Sequence, residues 1–545
     1  MEDKGMNHRT QNKAGKRVFL DKKMFWLIAG FSIFAVIAFI VPTPKSLIRV
    51  VDEYGFAKAM MKMGVADNVS QAAWKAKVVL GIIPMATIFF TTEALPIGLV
   101  GILMPILAYF FHLLPKAEIG KTFCGDAPLF LLGVLGMGVV VTEVGLHKRL
   151  ASWILGWVKG FKRPIFVIAI SMAILGSFVS AHAIAAFMTP VMVTIYFGAI
   201  RGANRGREIK HDPNLAKLLL FTLCYSLNVG GVGSPAAGGR NAIMMGLFSD
   251  YNVPMSFGQW MAYGFPLVPV LGVAVAGYLL LIFRKTKVKD LTPGLEAVRE
   301  ENKKMGPMNF SQIAVLIMML TILFLWITQS KILGLGGPAL LALLIPIVLR
   351  IVDWKKILVN ISWNAWFMYC GALTMGALLK NSGAALWLAK FFLNGLQQLG
   401  AGGQMSLWIG ASLFSGVMTN FMSDAATTAL LGPITLPMGI FSGGAGEPWA
   451  IGLATAFGTS FAHFLIVGTP NNAIVYALGS YPDTKEKMIH PVDFIKYGLG
   501  LWAICLIITW VVGFAFIFPL VGFPSGITET AKAALEATKT SLPMP

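Results

Sequence analysis

Long apolar runs alternate with short polar and basic segments along this chain. Residues 24–41, 78–90, 95–114, 313–328 and 501–518 each pass without an Asp, Glu, Lys or Arg. Several of them approach the ~20 residues that a helix needs to cross the hydrocarbon core of a bilayer. The pattern predicts an all-α integral membrane protein. With the basic loops placed on the cytoplasmic side, it gives about eleven transmembrane helices. They are expected at 24–42, 77–91, 95–114, 128–146, 215–248, 261–283, 310–329, 336–350, 363–381, 449–479 and 497–519.

Two apolar stretches do not fit single crossings. Residues 164–200 carry no formal charge and are flanked by basic loops at both ends. One crossing would leave the second basic loop on the wrong side, so a re-entrant hairpin from the cytoplasm is expected, with Ser180-Ala181-His182 at its tip. Residues 404–441 read as a second hairpin, from the outside, with Ser423-Asp424-Ala425 at its tip. The expected organisation follows in order. A tail, first helix and outer loop occupy 1–76, and a first repeat 77–283. A cytoplasmic linker spans 284–309, a second repeat 310–520, and a C-terminal tail 521–545. The N-terminus is expected in the cytoplasm and the C-terminus outside.

The two halves also resemble each other. Gly133 and Gly145 are spaced like Gly371 and Gly383, and Ser180 and Pro190 like Ser423 and Pro433. RNAI at 240–243 follows the first hairpin and NNAI at 471–474 the second. In the topology above these copies point in opposite directions. Inverted-topology repeats with broken helices place a substrate site near the bilayer midplane.

Composition supports the membrane reading. The chain is 56% hydrophobic and 13% charged, against roughly 25% charged in soluble proteins. Its net charge of +19 is no nucleic-acid footprint, because the basic residues gather in loops. Residues 1–23 hold seven Lys and Arg against three acids, and 284–304 hold seven against four. The four cysteines are far apart in apolar surroundings and form neither a metal-ligand spacing nor a disulfide framework. The first apolar run lacks a small-residue cleavage site and reads as a retained anchor.

Two lone charges stand out. Asp424 is the one formal charge within 391–446, and Arg240 the one between Lys217 and Asp250. An ionisable group in a membrane segment costs roughly 2.5–3.5 kcal/mol on insertion scales, so a functional role is the default reading. A guanidinium at a helix break can bind a carboxylate or sulfate through two parallel hydrogen bonds. It can equally neutralise Asp424. Asp424 itself reads as a cation's oxygen ligand, a proton carrier or half of an ion pair. His182 can donate to an anion, titrate, or serve structurally. His463 lies a turn or more from the second helix break.

The motifs in order complete the picture. They are TTEALPIG (91–98), TEVGLHKRLA (142–151), GGVGSPAAGGRNAI (230–243), SFGQWMAYGFPL (256–267), PITLP (433–437) and VGTPNNAI (467–474). Over nearly its whole length the chain resembles the divalent anion/sodium symporter family of the ion-transporter superfamily. The resemblance implies a homodimer in which a scaffold part holds a moving transport part carrying both hairpins, in an elevator motion. Family hairpin tips read Ser-Asn-Thr. Here both asparagines and both threonines are replaced, and Asp424 stands where the family has a tip asparagine.

The substrate site is expected to comprise Ser180, His182, Arg240, Asn241, Ser423, Asp424, Thr469, Pro470 and Asn472; of these Ser180, Ser423 and Thr469 match family substrate contacts, whereas Arg240 replaces a family proline and His182 a tip threonine. The cation sites comprise Ser180, Gly230, Thr419, Asp424 and Gly468. Gly176 and Ala181 fall where the family supplies a hydroxyl and an amide, which weakens the first cation site. Gly238 falls where some carboxylate-transporting relatives place a serine.

The expected activity is cation-coupled transport of small divalent anions, C4-dicarboxylate first and sulfate second. Na+ is the coupling ion and no other cofactor is expected. Proton coupling through Asp424 or His182, anion exchange, or a changed substrate such as a zwitterion are the alternatives. An intramembrane enzyme lacks support from paired carboxylates or an HExxH motif, a passive channel is the remaining class, and no phosphate-binding loop suggests ATP. The expected surroundings are a lipid bilayer, the bacterial inner (plasma) membrane, with a small anionic substrate and no nucleic acid as partner.

Overall fold

The apolar runs form helices whose backbone groups bond within the segment, as lipid requires. The computed structural model describes residues 22–146, 149, 158–203, 210–303, 306–398, 403–442, 447–481 and 483–540. The basic tail expected at 1–21 and the last residues of the C-terminal tail lie outside them. Among the described residues the regular structure is helical, apart from one isolated β-bridge between Ser480 and Lys487.

Eight of these helices are long and apolar enough to cross a membrane. Three expected spans are helices outside that set: 95–114 and 336–350 are the shorter Ile97–Phe110 and Gly336–Val348, and 363–381 is Trp363–Ser382. The expected spans at 215–248 and 449–479 are absent from it because each is broken in the middle. The first consists of Pro213–Gly230, a single 3-10 turn Pro235–Ala237, and Gly239–Asp250. The second consists of Glu447–Thr459, the turn Ile466–Gly468, and Pro470–Leu478. The two segments expected as re-entrant hairpins are each a pair of helices joined at the expected tip, Lys162–Gly176 with Ala181–Ala203 and Gln404–Phe421 with Asp424–Ser442, and the second helix of each pair is among those eight. In chain order the hairpin and broken-helix elements are α1 (Lys162–Gly176), α2 (Ala181–Ala203), α3 (Pro213–Gly230) and α4 (Gly239–Asp250). They continue with α5 (Gln404–Phe421), α6 (Asp424–Ser442), α7 (Glu447–Thr459) and α8 (Pro470–Leu478).

The chain divides into two units. One comprises Met1–Phe123, Trp363–Asn394 and Lys532–Pro545. Within it, Ile97–Phe110 crosses Trp363–Ser382 at backbone distance: a Cβ on Gly371 would lie 2.2 Å from the Gly101 carbonyl oxygen. Glycine at such a crossing lets two membrane helices approach closely. Lys75 and Lys77 are buried in this unit, and their ammonium groups donate to the carbonyls of His112 at 2.8 Å and Val41 at 2.6 Å.

The other unit comprises Cys124–Ser362 and Gly395–Ala531, and it contains both hairpins and both broken helices. It has its own glycine crossing, where a Cβ on Gly133 would lie 2.3 Å from the Ala339 carbonyl oxygen. Helix α6 is buried along almost its whole length, with α4 and α7 packed on it. By contrast, Phe310–Leu333 exposes Ile313, Ile317, Leu320, Phe324 and Ile327 on one face. Apolar residues at helical spacing and open to the surroundings are what lipid, not water, selects.

In each break one asparagine donates to two backbone carbonyls. The Asn241 amide nitrogen donates to the carbonyls of Gly231 and Ser234, both at 2.7 Å. The Asn472 amide nitrogen donates to the carbonyls of Ala462 and Leu465, both at 2.8 Å. In both halves the acceptors lie ten and seven residues upstream. The hairpins reach the breaks in matching fashion. Ser177, three residues before the first tip serine, donates to Gly230 O at 2.9 Å; Asn420, three before the second, donates to Phe461 O at 3.3 Å. Breaking a helix orphans carbonyl groups that must find partners when buried, and these side chains supply them.

Candidate functional site

Arg240 is the second residue of α4. Its side chain is 7% exposed, and its guanidinium Nη1 pairs with Asp424 Oδ2. Its Nε donates to Ser460 Oγ at 3.1 Å, at the end of α7. Room for the guanidinium depends on Gly231. A Cβ there would lie 1.5 Å from Arg240 Nη2.

Asp424 opens α6 at the second hairpin tip. Besides Arg240, its carboxylate accepts the Ala425 N–H through Oδ1 at 2.6 Å. Its side chain is 17% exposed, so the pair is not sealed. The tip serines act as helix caps: Ser423 Oγ accepts the Ala426 N–H at 3.2 Å, and Ser180 Oγ accepts the Ala183 N–H at 3.5 Å. His182 at the first tip is exposed and lies close enough to Asp424 and Arg240 for their charges to act on it. Arg240, Asp424 and Ser460, from the first break, the second hairpin and the second break, bond to one another here, and His182 stands at the tip of the first hairpin within reach of their charges.

The residues expected around the second cation site form a neighbouring group. The Thr419 hydroxyl donates to Thr459 O at 3.0 Å. Gly468 packs so tightly that a Cβ would lie 2.8 Å from Thr419 O. The Asp424 carboxylate is engaged with Arg240 and Ala425 rather than with these oxygens. At the first site, the Gly230 carbonyl accepts Ser177 Oγ. Among the described residues no group of three His, Cys, Asp or Glu side chains could hold a metal ion. Any bound alkali cation would therefore rely largely on hydroxyl and carbonyl oxygens.

Thr469 precedes α8 without capping it through its side chain, and Pro470 fills the first helical position, where its missing N–H leaves no bond unmade. Asn472 does more than hold the break. Its Oδ1 accepts from Asn228 at 3.0 Å and from the Cys224 thiol at 2.9 Å. Asn228 Oδ1 in turn accepts from Asn471 at 3.1 Å. Beside this network the His463 ring sits 5.1 Å from the Tyr225 ring. Neither ring nitrogen of His463, nor the Tyr225 hydroxyl, has a hydrogen-bond partner among the described residues.

Sequence reasoning missed Gly231, Ser460, Asn228 and Asn471. Ser460 carried no signal of its own. Gly231 sat inside a glycine-rich break where any one glycine looked like another. Asn471 was marked by NNAI opposite RNAI, since it stands in the repeat where Arg240 stands in the other.

Comparison with known proteins agrees with this architecture. The family model described as "Sodium:sulfate symporter transmembrane region" matches residues 45–533. An uncharacterized transporter of Haemophilus influenzae is 28% identical over 463 residues, covering 81% of this chain and 92% of that protein. The sodium-dependent dicarboxylate transporter SdcS of Staphylococcus saprophyticus is 26% identical over 475 residues, covering 82% and 87%. Among solved structures, MtrF of Neisseria gonorrhoeae superposes with a TM-score of 0.50 at 15% identity, covering 75% of this chain and 84% of that one; this is a likeness of fold alone. Broken helices, paired hairpins and a match over most of the length converge, and the chain belongs to the sodium:sulfate symporter family, the divalent anion/sodium symporters, as an integral-membrane transporter rather than an enzyme.

Proposed function

We propose that this protein is a cation-coupled carrier of small divalent anions, C4-dicarboxylates first and sulfate second, driven by Na+. Arg240 is the observation that carries the reading. Its guanidinium is buried at the start of a broken helix, beside a hairpin tip. In an apolar interior a fixed planar fork suits a carboxylate or sulfate. The peptide N–H groups opening α4 and α8 add positive potential at helix N-termini. In this reading Ser180, His182, Ser423 and Thr469 border the substrate, while Asn241 and Asn472 position the breaks. Sodium coupling is supported by the oxygen-rich surroundings of Thr419 and Gly468, and by the sodium dependence in the name of the staphylococcal relative. An elevator motion is supported by the presence of both hairpins and both breaks in one unit. Dimeric assembly and a cytoplasmic N-terminus belong to the same proposal.

A second reading, proton coupling, is favoured by one observation: exposed His182 lies within electrostatic reach of Asp424, where both tip asparagines of the family are replaced. Uptake of labelled succinate into proteoliposomes, under an inward Na+ gradient or an inward H+ gradient imposed separately, decides between them. Sodium-driven accumulation supports the first reading and proton-driven accumulation the second. No uptake of succinate or sulfate under either gradient would sink both.

A further inference from the structure

We propose that the preferred ligand is a dicarboxylate that also carries an α-ammonium group, a C4 aminodicarboxylate, with Arg240 taking its α-carboxylate and Asp424 its ammonium. This rests on the reading of the chain as a dicarboxylate carrier and narrows it.

The argument starts from hydrogen-bonding capacity. A guanidinium offers five N–H donors and a carboxylate accepts only. Arg240 uses Nε for Ser460 and one Nη1 proton for Asp424. Among the described residues nothing accepts from Nη2, which lies over the bare backbone of Gly231. A carboxylate can therefore bind the guanidinium without breaking the ion pair. Such a ligand then sits beside Asp424, on the same guanidinium, and two carboxylates on neighbouring atoms repel.

Asp424 still has lone pairs to offer. Its Oδ1 holds one backbone N–H and its Oδ2 one guanidinium proton, and its side chain is partly exposed. What satisfies it is a donor, preferably a cationic one. Succinate, malate and sulfate bring only acceptors or a neutral hydroxyl. An α-amino acid carries ammonium and carboxylate on one carbon, side by side, as Asp424 and Arg240 stand side by side in the site. The remaining carboxylate of an aminodicarboxylate then falls to the first hairpin tip, where His182 is exposed and close to both charges. The ligand's two negative charges and one positive charge each meet a partner. A plain dicarboxylate leaves Asp424 facing like charge.

The test compares labelled L-aspartate with labelled succinate in proteoliposomes of the unmodified protein, under the Na+ and H+ gradients, with each unlabelled compound as competitor. We expect aspartate to be carried with an apparent KM at least about tenfold below that of succinate, the scale of one charge-assisted hydrogen bond. Asp424→Asn should reverse or abolish that preference, because an amide neither repels a second carboxylate nor holds an ammonium as strongly. Succinate uptake with aspartate neither carried nor competing overturns this inference and leaves the dicarboxylate reading standing. Uptake of neither compound sinks both. A preference unchanged in a well-folded Asp424→Asn protein removes Asp424 as the ammonium site and overturns the inference too. If that variant does not fold, the wild-type comparison alone decides.

Discussion

Arg240 stands alone in charge along its stretch of sequence, yet in the fold its guanidinium is tied to Asp424 and Ser460. Its replacement by lysine keeps the charge and loses the planar fork. Arg240→Lys should raise the apparent KM for the transported anion about tenfold to a hundredfold, the scale of a lost charged hydrogen bond, measured by uptake in proteoliposomes. An unaltered KM would move Arg240 to a purely structural role. Gly231→Ala tests the same site from behind. The added methyl would fall 1.5 Å from Nη2, so transport should drop sharply while the protein keeps its size-exclusion profile. At His463 the expectation has the opposite sign. A buried polar ring without partners costs stability, so His463→Phe should leave the melting temperature in detergent unchanged or raise it. A clear drop would mean that the ring binds something, such as ordered water, that stabilises the fold.

At the scale of elements, the breaks decide what the helices can do. A continuous helix offers its interior no free peptide groups, whereas a broken one exposes N-terminal N–H groups within the protein. Breaking it leaves carbonyls to satisfy, and Asn241 and Asn472 each satisfy two at matching upstream positions. Asn241→Ala should therefore destabilise by at least about 2 kcal/mol, as two buried carbonyls lose their donor, seen as a fall of several degrees in thermal unfolding. Asn472→Ala should cost at least as much: Ala462 O keeps Asn228 as a donor, but Leu465 O loses its own, and Asn228 and Cys224 lose their acceptor. Equal melting temperatures for wild type and both variants would refute the role assigned to these asparagines. RNAI and NNAI made the two positions legible in sequence, though not the carbonyls they hold.

For the whole molecule the solvent is the bilayer. The exposed stripe of Ile313, Ile317, Leu320, Phe324 and Ile327 makes a prediction that no site residue can. Leu320→Arg places a charge near the middle of a lipid-facing helix, at a cost of roughly 2.5–3.5 kcal/mol on insertion scales. It should lower the membrane-inserted yield, whereas a polar change at the exposed helix-end residue Trp354 should not. Counting membrane-fraction protein against total expression checks it.

The sequence by itself determined the membrane class, the two helix pairs joined at small-residue tips, and the pair of charges with no neighbours of their own kind. These are local consequences of apolar run length, small residues and prolines, and they need no knowledge of what lies across the fold. The expected spans at 215–248 and 449–479 were right as segments but are interrupted, since periodicity measures how apolar a stretch is and not whether its hydrogen bonds run through. Only the tertiary structure decided that Arg240 and Asp424, 184 residues apart, bond to each other, with Ser460 beside them and Gly231 making room. A buried charge demands a partner; the sequence offered Asp424 and a substrate anion for Arg240, and the fold pairs Arg240 with Asp424 because that demand is satisfied across space.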